Sequence, residues 1–236
     1  MDFKCSQCSC CCFFNLIEEN YKKEFDANKK IFNISKGETF IREGDIVDGF
    51  YILQQGYAKV MMKGYFKDKQ HIIRLCKSGD IIGHRSLNSY YYHISAKALS
   101  DSVVCFFDRD FFMQLLKNNS KLSYSLLLFL VKELYESEMK SRNYVMMSVK
   151  ELVAASVLYI DKKFGKEKDA PALSRQDIAE IASTTKEQVS LYLKELEAEG
   201  LIKFENKKII IKDRLKLESL VEKYREHYEP IELVLM

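Results

Sequence analysis

Two groups of residues in this chain have the types and spacing to do chemistry. The first is thiol-rich: Cys5, Cys8, Cys10, Cys11 and Cys12 crowd together, while Cys76 and Cys105 stand alone further on. The step from Cys5 to Cys8 can bring two thiolates onto one metal centre, and both zinc and iron–sulfur clusters use thiolates at such spacings. The other reading is a mobile tail whose cysteines bind nothing, with Cys76 and Cys105 as small buried strand residues. The second group lies in Leu173–Ile202, LSRQDIAEIASTTKEQVSLYLKELEAEGLI. Glu187, Ser190, Leu191 and Lys194 fall at i, i+3, i+4 and i+7 on one helical face, with Lys186, Glu187 and Gln188 at its amino end. Such groups read base edges and phosphates when the amino end of a helix enters a major groove. The alternative is a helical hairpin with a solvated polar face.

The histidines do not add a catalytic centre. His71, His84 and His93 stand near no Ser/His/Asp or Cys/His constellation at known spacing, so an enzyme is not expected.

The elements that position the second group are legible. Ser174 can cap one helix with Asp177 three residues on, and Thr185 can cap the next with Gln188 as a capping box. Ile178, Ala179, Ile181 and Ala182 give the first helix an apolar face; Val189, Leu193, Leu196 and Leu201 give the second its own. Gly200 ends that helix. Leu201–Phe204 and Lys208–Lys212 then read as a hairpin turning at Glu205-Asn206-Lys207, the wing of a winged helix.

Bulk properties bound the rest. The 236 residues allow one large or two modest domains, and 47% apolar with 30% charged content marks a globular chain. A net charge of +3 is too small to argue for nucleic acid by itself. No segment approaches the roughly 20 apolar residues of a membrane span, and no basic-then-apolar leader opens the chain. Seven cysteines, an odd number crowded at one end, argue against a disulfide framework and for a cytoplasmic protein with reduced thiols.

Short β-rich runs alternate with glycine turns: Ile31–Ile34, Glu38–Arg42, Gly49–Leu53, Ala58–Met62, His71–Leu75, Ile94–Ala98 and Val103–Phe107. That spacing predicts a compact antiparallel roll. Phe13–Lys30 reads as a helix before it. After it come a short helix over Asp110–Leu116 and a long one over Lys121–Met147, capped by Asn118 or Ser120. The long helix carries two stripes. One is Leu127, Leu130, Leu134, Ser137, Ser141 and Tyr144; the other is Leu128, Val131, Tyr135, Met139 and Met146. One stripe is expected to cover the roll and the other a twin helix, as a coiled-coil dimer seam. Helices are also expected over Ser148–Phe164 and Arg214–Tyr228.

The order of roll, long helix and winged helix resembles the CRP/FNR family of bacterial transcription regulators. The resemblance is carried by Lys36-Gly37-Glu38, Glu43-Gly44-Asp45, Tyr51-Ile52-Leu53-Gln54-Gln55-Gly56 and Gly79-Asp80-Ile81-Ile82-Gly83, followed by the helix-turn-helix. It implies an α+β chain: an N-terminal antiparallel β-roll of the cyclic-nucleotide-binding type (a double-stranded β-helix), a long dimerisation helix and a C-terminal winged helix-turn-helix. The expected domains are residues 1–118 (cysteine segment and sensor roll), 119–147 (dimerisation helix) and 148–236 (DNA-binding domain). The implied partners are double-stranded promoter DNA, a second copy of the chain and RNA polymerase.

For the effector, the resemblance implies a pocket at Ile82, Gly83, His84, Arg85, Ser86, Tyr91 and Tyr92. Cyclic-AMP-binding members carry a glutamate where His84 stands, and an Arg-Ser pair where this chain reads Ser89-Tyr90-Tyr91-Tyr92-His93. Without an arginine for bidentate contact to the phosphate, cyclic AMP is not expected. The oxygen-sensing FNR branch holds a [4Fe–4S] cluster on four cysteines. Likeness to that branch implies Cys5, Cys8, Cys12 (or Cys11) and Cys105 as ligands, although the family leaves a longer gap before its third N-terminal cysteine.

For DNA, the resemblance gives Glu187 and Ser190 base-reading roles, with Glu187 accepting from cytosine N4. The family's arginine is Leu191 here, which removes a guanine contact and offers an apolar contact to a thymine methyl. Ser174, Arg175, Thr185, Lys186, Gln188, Lys194, Lys203, Lys207 and Lys208 complete the expected DNA-contacting set.

Overall fold

The structure, a computed structural model, describes residues 17–64, 69–165 and 167–224. The cysteines from Cys5 to Cys12 and the apolar tail Ile231–Met236 lie outside the described residues. The chain divides into two compact units, Met1–Phe129 and Leu130–Met236.

The first unit opens with α1 (Glu19–Ala27) and continues through β1 (Lys30–Ile34), β2 (Thr39–Ile41), β3 (Gly49–Gln55), β4 (Tyr57–Lys63), β5 (Gln70–Lys77), β6 (Ile81–Ile82), β7 (Ser95–Ala98) and β8 (Ser102–Asp108). These make two antiparallel four-stranded sheets, ordered β1-β8-β3-β6 and β2-β7-β4-β5. Ile34, Leu53, Ile82 and Val104 from one sheet share a core with Ile41, Ala58, Val60, Cys76, Ala96 and Ala98 from the other. The alternate residues of the first sheet face outward: Phe50, Ile52, Ile81, Cys105 and Phe107 pack with Ile17, Phe25 of α1, and Phe112 and Leu115 of α2 (Arg109–Asn118). β8 is thus buried on both faces, which is why Ser102–Asp108 reads as an apolar run rather than an alternation. The ring of Phe25 stacks on Phe107 at 4.1 Å between centroids. Gly56 closes the β3–β4 turn at φ +97, and a Cβ there would stand 2.3 Å from Ser102 Oγ, so only glycine fits.

α3 (Ser120–Met146) spans 27 residues, about 40 Å at 1.5 Å per residue. Its cap is neither Asn118 nor Ser120: Asn119 Oδ1 accepts the Leu122 amide at 3.0 Å, three residues on, as an N-cap does. Leu122 and Leu126 bury into the core that holds Phe25 and Phe107, with Phe129 against it.

The second unit holds α4 (Val149–Phe164), α5 (Arg175–Ala182), α6 (Lys186–Ala198), the hairpin β9 (Ile202–Glu205) and β10 (Lys208–Ile211), and α7 (Arg214–Ser219). Leu152, Val153 and Val157 of α4 form one core with Ile178, Ala179, Val189, Leu193, Leu196 and Leu217. α4 begins on a Ser148/Glu151 capping box.

Each predicted strand is present, within two residues at either end. Three expectations are corrected. The first helix ends at Ala27, short of the expected Lys30, because β1 already claims Lys30 for pairing with Phe106; residues 13–16 of that expectation lie outside the described residues. A further strand, β6, pairs with Tyr51 and Ile52 of β3. The terminal helix stops at Ser219, a single 3₁₀ turn over Glu222–Tyr224 follows, and Leu215 is exposed, while residues 225–228 of the expected helix lie outside the described residues.

Candidate nucleic-acid interface

α5 and α6 form the helix-turn-helix. Ser174 caps α5 with a complete capping box: its hydroxyl accepts the Asp177 amide at 3.1 Å and donates to Asp177 Oδ2 at 2.6 Å. That hydroxyl serves first as the cap of α5. Ser183 ends α5 in the left-handed region, φ 52, and turns the chain. Thr185 caps α6 by accepting the Gln188 amide at 3.3 Å. The expected reciprocal half of that box is absent. Gln188 Oε1 instead takes the hydroxyl of Thr184, a residue the sequence reading passed over. Gln188 then keeps its amide NH₂ as a donor.

Val189, Leu193 and Leu196 hold the back of α6 in the core. Lys150 of α4 also grips its far end, donating to Glu199 at 2.7 Å with Glu195 at 3.3 Å. The outward face carries Lys186, Glu187, Gln188, Leu191 and Lys194, all exposed, with Ser190 half-buried between them. The Ser190 hydroxyl donates to the Lys186 carbonyl at 2.8 Å, leaving its lone pairs for an outside donor.

The wing turns at Asn206 (φ 48) and Lys207 (φ 67), a two-residue hairpin turn with both central residues left-handed. Lys207 sits at the tip. The other two wing lysines have partners in the chain: Lys203 pairs with Glu205, and Lys208 Nζ donates to the Lys168 carbonyl at 2.8 Å. Arg175 lies with its guanidinium 5.8 Å from the centre of the Phe204 ring, which ties α5 to the wing.

The predicted effector residues separate. Ile82, Gly83, His84, Ser86 and Tyr92 are buried, whereas Arg85 and Tyr91 are exposed and do not enter the roll. Tyr91 forms a bridge to Ile46 at the surface instead. Tyr92 fills interior space: its hydroxyl lies 2.7 Å from both Asp48 Oδ1 and the Gly49 carbonyl. Burial and then the Asp48 carboxylate raise its pKa far above the ordinary tyrosine value, and the same two causes push Tyr51 up to about 12. His84 packs with its ring 5.4 Å from that of Phe129 on α3.

Cys105 Sγ lies 3.7 Å from Gln54 Oε1 and shares its core with Ile17 and Phe25. Its three expected companions, Cys5, Cys8 and Cys12, are outside the described residues. Among the described residues no group of three or more His, Cys, Asp or Glu is placed to hold a metal, and no helix is long and apolar enough to cross a membrane.

On α3, Leu127, Leu130 and Leu134 are exposed, and Ser137 and Ser141 with them. Val131 and Tyr124 join that stripe; Tyr124, three residues before Leu127, follows the same spacing and could have been read from it. Tyr144 departs from the stripe. It is half-buried and its hydroxyl donates to the Ile181 carbonyl at 3.0 Å. A straight helix turns about 100° per residue, so Tyr144, 17 residues after Leu127, points about 100° away from it. Val145, one residue on, is in line with Leu127 and is 83% exposed.

Comparison with known proteins fits both units. The family model of the cyclic nucleotide-binding domain matches residues 31–119, and that of the Crp-like helix-turn-helix domain matches residues 153–220. The chain belongs to the CRP/FNR family of transcription regulators. The anaerobic regulatory protein of Bacillus subtilis is 24% identical over 189 residues, covering 77% of this chain and 79% of that one. The nitrogen fixation regulation protein FixK of Bradyrhizobium diazoefficiens is 27% identical over 207 residues, with 84% of each covered. The solved structure of FixK2 from Bradyrhizobium japonicum shares the fold, with a TM-score of 0.72 at 22% identity over 81% of this chain and 96% of its own. As a CRP/FNR-type protein the chain is a DNA-binding transcription regulator.

Proposed function

We propose that this regulator binds palindromic promoter DNA as a homodimer, inserting α6 of each copy into a major groove. The carrying observation is the outward face of α6, where Lys186, Glu187, Gln188, Leu191 and Lys194 stand exposed over a core-anchored back. Glu187 accepts from a cytosine amino group and Ser190 from a second amino group. Lys186, Lys194 and the wing-tip Lys207 contact phosphates, which position the protein without specifying sequence. Arg175, Thr185 and Gln188 flank them; Lys203 and Lys208 join only by exchanging their partners within the chain. The exposed stripe of Tyr124, Leu127, Leu130, Val131 and Leu134 supplies the dimer seam and sets the two α6 helices about one DNA turn, roughly 34 Å, apart. Residues 1–118 then serve as sensor, 119–147 as dimerisation helix and 148–236 as DNA-binding domain. The protein works in the cytoplasm, with RNA polymerase as its partner at promoters, and is not an enzyme.

The signal enters through the first unit. The Bacillus subtilis relative is named an anaerobic regulatory protein, which supports redox control here. Cys105 fits as one thiolate ligand of a [4Fe–4S] cluster, because Ile17 shares its core and Cys12 precedes Ile17 by only five residues. Five residues span at most about 18 Å. Cys5, Cys8 and Cys12 are the remaining ligands. When bound, the cluster supplies a centre sensitive to oxygen and to redox state.

Gel shifts with genomic fragments test the DNA reading. Lys186→Ala with Glu187→Ala is expected to abolish discrimination between sites; discrimination that survives refutes these residue roles. Anaerobic purification followed by iron and acid-labile sulfide assays tests the cluster. Its absence, also after reconstitution, removes the redox reading and leaves the regulator standing.

A further inference from the structure

The outward face of α6 holds one residue whose chemistry differs from its neighbours. Leu191 is 53% exposed, yet the residues beside it on that face are Glu187, Ser190 and Lys194. It is not a frayed edge of the core. The buried apolar residues of α6 are Val189, Leu193 and Leu196, which pack on the opposite side with Ile178 and Val153. An exposed leucine in a groove-facing row has neither a donor nor an acceptor to offer a base edge. Among the patterns that base pairs display in the major groove, the apolar group is the C5-methyl of thymine.

We infer that Leu191 reads the 5-methyl group of a thymine in each half-site. This rests on the DNA-binding role proposed for α6. Leu191 lies four residues beyond Glu187, about 6 Å along the helix axis. Base pairs rise about 3.4 Å. The thymine therefore lies within about two base pairs of the base that Glu187 reads. The side chains around Leu191 sharpen the choice. Ser190 spends its hydroxyl proton on the Lys186 carbonyl, so the hydroxyl next to the leucine has no proton to offer a guanine O6 or N7. A guanine at that step would find no donor in the leucine itself for its O6 and N7.

The test uses the full-length protein, both as isolated and after anaerobic iron–sulfide reconstitution, on random duplexes to select a binding sequence. Each thymine of the selected half-site is then replaced by deoxyuridine, which removes the methyl and leaves base pairing intact. At one thymine per half-site, deoxyuridine is expected to weaken binding about fourfold, the worth of one buried methyl-sized group. Leu191→Ala is expected to bind the thymine and deoxyuridine duplexes equally, and Leu191→Arg to shift the selected base there towards guanine. Leu191 is exposed, so these variants should keep the wild-type melting temperature. If no thymine shows a methyl effect, or if the effect persists in Leu191→Ala, the inference is overturned while the DNA-binding role stands, and Leu191 is then a surface for a protein partner. If no sequence is selected at all, the DNA-binding role falls and the inference with it.

Discussion

The hydroxyl of Tyr144, in the last turns of the long helix, donates to the backbone carbonyl of Ile181 in the last turn of α5 at 3.0 Å. Carbonyls at a helix C-terminus lack partners within the helix, so this bond supplies one that the helix cannot. Arg142 makes a similar contact nearby, donating to the Tyr224 carbonyl. Tyr144→Phe should therefore destabilise the protein by about 1 kcal/mol, the net worth of one such hydrogen bond. Thermal melts should record a drop of about 2–4 °C. An unchanged melting temperature would show that water replaces the hydroxyl without loss.

The exposed leucines of α3 should decide oligomeric state. Leu127→Glu with Leu134→Glu places carboxylates along the seam, where two copies would bring like charges together. Light scattering is expected to report the mass of one chain for the variant and of two for the wild type. Affinity for a palindromic site should fall with it, while the secondary structure seen by circular dichroism stays the same.

Glu151 should govern part of the acid sensitivity. Lys223, and then the amide and hydroxyl of Ser148 and the hydroxyl of Tyr224, hold its carboxylate down to about 2, against the opposing effect of burial. A carboxyl lowered in the folded state contributes stability that is present above its unfolded value of 4.5 and is lost as pH falls from there towards about 2. Glu151→Gln should lower the urea midpoint at pH 7 and show a smaller further loss between pH 4.5 and pH 2.5 than the wild type. Parallel curves across that window would count against the assignment.

The wing tip joins two effects in one residue. Lys207 holds a left-handed backbone (φ 67), which an L residue adopts at a cost of roughly 1–2 kcal/mol and glycine adopts freely. Lys207→Gly should therefore stabilise the fold while weakening DNA binding. Removing one phosphate contact per copy should reduce the slope of log K against log salt by about 1.8 for a dimer. A variant that is more stable but has an unchanged salt slope would take Lys207 out of the interface.

The strands of the roll were readable because glycine turns and short apolar runs mark them, and the helix-turn-helix because Ser174 and Thr185 announce its starts. What escaped was short, degenerate or distant. β6 is only two residues, Ile81 and Ile82, too short for a period. Asn118, Asn119 and Ser120 are three cap-forming residues in a row, and only packing selects Asn119. Tyr144 matches the stripe by steps of three and four, but a straight helix drifts off a seven-residue repeat by about 20° per heptad, and a tertiary bond to Ile181 fixes where it points. The pocket residues Arg85 and Tyr91 rest on the family resemblance and not on a pattern of their own. The surface bridge between Tyr91 and Ile46 depends on the β-roll closing, which no local pattern encodes.

The roll comes with its own stopper. Tyr92 occupies interior volume and is latched by Asp48 and Gly49, so a newcomer to that space must first evict a neutral phenol from its latch. Free-energy loss from eviction lowers apparent affinity by the fraction of molecules already open. For inhibitor discovery, compounds aimed at the roll start with a handicap that ligands of the exposed leucine stripe on α3 do not face.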